Sequence, residues 1–134
     1  MLYILDACAL IAYLTNEPGA DFVETVLSSA QSNPVIMHKL NLLEVYYGFY
    51  KDCGKEKAAE MLQDVQKLNI RIISDISDEL ILAAGRLKAT YKISLADAVC
   101  LAQAGLAEAT IVSSDHHEFD IIDKNEPLNF AWLR

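Results

Sequence analysis

The chain has 134 residues, 53% of them hydrophobic, and a formal charge of -8 at pH 7. That length fits one domain spanning residues 1–134, and that apolar content is ample for a core covered on two faces, which excludes a disordered chain. No apolar run approaches the ~20 residues a membrane span needs, and the acidic balance argues against a generic nucleic-acid binder.

Met1 to Leu5 lacks the basic start of a signal peptide, so a cytoplasmic location is expected. Residues 2–5 read as a short apolar strand, and Asp6 stands where it can cap a helix running to Leu14. Thr15 to Gly19 is a turn, and Ala20 to Ser29 carries Phe22, Val23, Val26 and Leu27 at helical spacing. Asn33-Pro34 breaks the chain before a second strand, Val35 to His38. An aromatic-rich helix follows over Leu40 to Tyr50 and ends at Cys53-Gly54. Lys55 to Leu68 is amphipathic and leads into a strand at Ile70 to Ile73. Ser77 opens a helix to Tyr91, and Ile93 to Ala107 reads as another, buried on most of its circumference. Thr110 to Ser113 and Phe130 to Leu133 are the last two strands. Strands alternating with helices predict an α/β fold, a three-layer α/β/α sandwich on a mostly parallel five-stranded sheet. The three cysteines, Cys8, Cys53 and Cys100, show no C-x-x-C spacing and read as reduced thiols.

Asp97 is the only charged residue in the apolar helix Ile93 to Ala107, where an ionised carboxylate is costly unless a cation meets it. The anomaly recurs at Asp6, at Glu44 within Leu42-Leu43-Glu44-Val45, and at Asp115 after the fourth strand. In sheets of this kind ligands collect beyond the carboxyl ends of the strands, where Asp6 and Asp115 lie. Two carboxylates ~4 Å apart repel by roughly 4 kcal/mol at an effective dielectric near 20. Four in one place therefore need cations or protons, and all-oxygen ligation favours Mg2+ or Mn2+. Each acid also has a plainer role open to it. Asp6 can be a helix cap, Glu44 can share a solvent stripe with Asn41, Gly48 and Lys51, and Asp115 with Glu118 has the spacing of a capping pair.

The segments Leu5 to Ile11, Asn41 to Gly48, Ser94 to Ala102 and Val112 to Phe119 carry these acids in an order that resembles the PIN-domain nucleases, in particular VapC-like toxins of toxin-antitoxin pairs. The resemblance spans nearly the whole chain. It implies a Mg2+ or Mn2+ site shared by Asp6, Glu44, Asp97 and Asp115, and endonucleolytic hydrolysis of RNA leaving 5′-phosphate and 3′-hydroxyl ends. In that reading Asp6, Asp97 and Asp115 hold the principal cation, and Glu44 positions a water or helps bind a second. The chain departs from the family at Cys8, where serine or threonine is usual, and keeps a hydroxyl at Ser113. Cys8 and Ser113 are expected near the substrate. The family also implies a homodimer and a small antitoxin with a basic segment.

Arg86, Lys88 and Lys92 form the one basic run upstream of Asp97 and are candidate phosphate contacts. The aromatic group Tyr46, Tyr47, Phe49 and Tyr50 can stack RNA bases, though core packing or a subunit contact is the commoner use of such a helix, and the family resemblance implies an interface. His116 and His117 invite a transition-metal reading, but neighbours on a helix point to different sides, and His38 is remote. Asp120 reads as an exposed helix residue. A haloacid-dehalogenase-type phosphatase would need an aspartate where Cys8 stands, and a response-regulator receiver an acidic pair at the first strand. The remaining alternative is a catalytically weak or inactive PIN-like module that acts through protein binding.

Overall fold

A computed structural model describes residues 1–134. In chain order the elements are β1 (Tyr3–Leu5), α1 (Ala7–Leu14), α2 (Ala20–Ser28), β2 (Val35–His38), α3 (Lys39–Cys53), α4 (Lys55–Gln66), β3 (Arg71–Ile73), α5 (Asp78–Thr90), α6 (Leu95–Ala107), β4 (Thr110–Ser113), α7 (His116–Asn125) and β5 (Asn129–Trp132). The strands form one sheet in the order β3-β2-β1-β4-β5. Every pairing is parallel, so the sheet is wholly, not mostly, parallel. The α/β/α fold is otherwise as expected. No helix is long and apolar enough to cross a membrane.

The chain moves outward from β1 to β2 and β3, then crosses back to β4 on the other side of β1. That reversal opens a crevice beyond the carboxyl ends of β1 and β4. Side-chain oxygens set the helix starts around it. Asp6 caps α1 by accepting the Ala9 N–H, and Ser94 caps α6 by accepting the Asp97 N–H. Asp115 caps α7 by accepting the Glu118 N–H. α3 starts one residue earlier than its apolar pattern predicts, because the His38 ring accepts the Leu40 N–H there, and Gly54, at φ 94°, ends it after Cys53 as expected. Gly19 precedes α2 at φ 100°, where an added Cβ would lie 2.6 Å from Leu133 Cβ.

One apolar cluster, centred on Ile4, Leu101, Ile111 and Phe119, packs α5, α6 and α7 on the sheet. Two smaller ones, around Leu5, Val23 and Val112 and around Leu10, Met37 and Val45, pack α1, α2, α3 and α4. Helices thus fix the crevice from both faces.

Candidate active site

Asp6, Glu44, Asp97 and Asp115 line a single open cleft of about 660 Å³, together with Cys8, Ile11, Lys88, Lys92, Ser94 and Glu118. Four elements far apart in sequence deliver these acids: the end of β1, the middle of α3, the first turn of α6 and the loop after β4.

Asp6 is the floor, only 2% exposed. Its Oδ1 accepts the Ala9 N–H at 2.8 Å and its Oδ2 accepts the Ser113 hydroxyl. Ser113 Oγ in turn accepts the Asp115 N–H at 3.0 Å, and Asp115 Oδ1 accepts the Glu118 N–H at 3.1 Å. Ser113, fully buried, therefore contacts the acids and not the cleft. It ties Asp6 to Asp115. Because the Asp115 N–H is already held by Ser113, it is not available to the Glu118 carboxylate. Only half of the expected capping pair forms, and Glu118 faces the cleft as a fifth acid.

Burial, opposed by the two hydrogen bonds and reinforced by Asp97 and Asp115, pushes the Asp6 carboxyl up to about 7. Burial also raises Asp97, with Asp115 and Glu118 adding to the effect, and raises Glu44, with Asp97 and Asp115 adding. The Cys8 thiol, covered and facing the same acids, is pushed up to about 12 and is no nucleophile. Such a set is short of positive charge.

These residues fit a hard divalent cation by their chemistry, since every acid in the cleft offers oxygen donors. No three His, Cys, Asp or Glu side chains already crowd round one point. An open rim of carboxylates suits an ion that keeps several of its waters.

Lys88 and Lys92 lie on one wall, Lys88 donating from Nζ to the Ile93 carbonyl at 2.8 Å. Arg86 does not join them. Its guanidinium grips Glu126 at 2.6 and 3.3 Å, on the far side of α5, because residues two apart on a helix do not share a face. The His116 ring stacks on Trp132 at 3.9 Å and bonds Asp120 and the Arg134 carbonyl, and His38 bonds the Asp75 carbonyl, so neither serves the cleft. Asp120 is exposed and outside the site. Glu118 is the cleft acid that sequence reasoning left in a capping role. Its position one helical turn after Asp115 was the available signal.

The sequence model of the PIN domain matches residues 3–125. The chain belongs to the PIN-domain family. Comparison with curated proteins finds no match by sequence. Among solved structures, the fold matches that of VapBC2 from Rickettsia felis bound to a promoter DNA fragment, with a TM-score of 0.77, 20% identity and 98% of each chain covered. It also matches DNA-bound VapBC from Salmonella typhimurium, with a TM-score of 0.74, 14% identity and 100% of each chain covered. A third match is Mycobacterium tuberculosis VapC20, a sarcin-ricin loop cleaving toxin, with a TM-score of 0.65 and 12% identity over 90% of this chain and 95% of that one. At these identities the likeness is one of fold.

Proposed function

We propose that this PIN domain is a metal-dependent endoribonuclease and the toxin half of a toxin-antitoxin pair. The observation that carries the reading is the gathering of Asp6, Glu44, Asp97 and Asp115 in one cleft beside Lys88 and Lys92. Asp6, Asp97 and Asp115 would hold a Mg2+ or Mn2+ ion, which supplies charge for the phosphodiester oxygens and a water acidic enough to attack at neutral pH. Glu44, half-buried on α3, would orient that water or help hold a second cation. Lys88 and Lys92 meet the RNA phosphates flanking the cut. Ser113 keeps Asp6 and Asp115 in register, and no side chain acts as nucleophile. Hydrolysis leaves 5′-phosphate and 3′-hydroxyl ends.

The partner reading follows the same fold. The solved structures of similar fold include a toxin-antitoxin complex from Klebsiella pneumoniae, and an acidic cleft suits a basic antitoxin segment. Leu43 and Tyr47, 59% and 60% exposed on α3, offer the apolar surface for a homodimer or for the antitoxin. We place the complex in the cytoplasm.

One observation favours a second reading, a weakly active or inactive module that works by binding protein: Cys8 puts a thiol in the cleft, a poorer donor to water or phosphate than a hydroxyl. Purified protein and Asp97→Asn, incubated with labelled structured RNA and Mg2+, Mn2+ or EDTA, separate the two. Cleavage by the unmodified protein alone, lost in EDTA, supports the nuclease. Equal cleavage by Asp97→Asn, or none by either, contradicts it.

A further inference from the structure

Four polar or charged side chains are buried: Asp6, His38, Asn41 and Ser113. Asp6, His38 and Ser113 are hydrogen-bonded within the chain. Asn41 is not: it is 0% exposed, and neither Oδ1 nor Nδ2 meets a partner in the protein. A bare buried amide weakens a fold, and an apolar residue of the same shape in its place strengthens it.

Local structure gives Asn41 no task. It sits inside the first turn of α3, where His38 already provides the cap, and asparagine is a poorer helix former than the leucines around it. Its position does. Asn41 is three residues before Glu44, so the two are neighbours on the helix surface. α3 packs against both α1, which carries Cys8 and begins at Asp6, and α6, which carries Asp97. The amide is buried on a helix that packs against both α1 and α6.

We propose that Asn41 is a positioning residue for Glu44 that works through a water. Its amide binds a buried water behind the cleft, and that water ties the first turn of α3 to the acids, so that Glu44 is held toward the cation. Buried waters make about three hydrogen bonds to groups otherwise left bare, and such outer partners of a metal site are worth about 10–100-fold in affinity. The inference rests on reading the cleft as a divalent-cation site.

The test uses the full chain, Asn41→Leu as the apolar isostere and Asn41→Thr as the variant that keeps a hydroxyl. Thermal unfolding without metal and calorimetric titration with Mn2+ are measured on each. Asn41→Leu should stay folded, with a metal-free Tm within about 3 °C of the original, while lowering Mn2+ affinity about tenfold. Asn41→Thr should stay within about threefold of the unmodified affinity, since it can still bind the water. An unfolded Asn41→Leu, or a metal-free Tm lower by more than about 5 °C, overturns the proposal, because the amide then serves the fold. So does an Asn41→Leu affinity within about twofold of the original, or an equal loss in both variants. If the unmodified protein binds no Mn2+, the cation site itself is wrong. If it binds and Asp97→Asn abolishes binding while Asn41→Leu spares it, only the role of Asn41 falls.

Discussion

Two charged clusters lie on either side of α5 and are built on opposite terms. In the cluster of Arg86, Tyr91 and Glu126, the Glu126 carboxylate accepts hydrogen bonds from the guanidinium and, at 2.6 Å, from the phenol, which holds it below the usual carboxylate range. In the cleft, Asp6, Glu44 and Asp97 lie above that range, because burial and one another's charge outweigh the bonds they receive. An acid with its counter-charge built in holds the chain together. An acid without one waits for a charge from outside, and the fold tolerates that only where function returns the cost.

Breaking each cluster should therefore have opposite consequences. Asp97→Asn should abolish RNA cleavage by at least about 100-fold while raising the metal-free Tm, because it removes a repelling charge. Glu126→Gln should lower Tm by roughly 2–4 °C and leave cleavage intact, the pair being partly exposed and so worth little. Cleavage assays and melting curves on the two variants check both signs. If both variants lose stability and keep activity, the distinction between the clusters fails.

The same contrast is readable in pH. Asp6 titrates near 7 in the folded chain but near 3.9 when unfolded, so between those values the folded state binds the extra proton. The metal-free Tm should fall as pH rises from about 4 to about 7, and saturating Mn2+ should reverse that slope, since the ion requires the deprotonated carboxylates. A flat or rising metal-free profile over that window would place the Asp6 carboxyl in an ordinary environment.

Smaller effects sharpen the boundary of the cleft. Charge reversal at Lys88 or Lys92 should weaken RNA binding and reduce its salt slope by about 1 for each residue, whereas Arg86→Gln should leave the slope unchanged. Filter binding across a salt series measures it. Cys8→Ser, restoring a hydroxyl beside Asp6, should raise the cleavage rate modestly.

The sequence was most legible where one rule decided the outcome. Val35 to His38 and Thr110 to Ser113 are short apolar runs bounded by breakers, and both are strands with those limits. Asp6, Ser77 and Asp115 read as helix starts from their side chains alone, whereas the Ser94 cap was hidden inside an apolar run read as starting at Ile93. Asp6 and Asp115 could be placed at one sheet edge because parallel connections leave few alternatives, and the family resemblance joined Glu44 and Asp97 to them. What stayed hidden depends on the third dimension. Asn41 falls on a polar stripe with Glu44, Gly48 and Lys51, yet it is buried, since α3 crosses between α1 and α6 and a helical wheel shows nothing of a second neighbour. Ser113 looked like a substrate contact because its pleat direction into the sheet could not be told from its hydroxyl. Arg86 joined Lys88 and Lys92 as a basic run although residues 86 and 88 point to different sides of α5.

In the proposed mechanism the acids of the cleft share one hard divalent cation. Calorimetric titration of the metal-free protein with Mn2+ near pH 7, repeated in buffers of different ionisation enthalpy, reads affinity and proton release together. We predict saturable binding that releases protons, mainly from Asp6, and that is lost in Asp97→Asn but kept in Glu126→Gln. Absence of binding, or equal binding by Asp97→Asn, would contradict it.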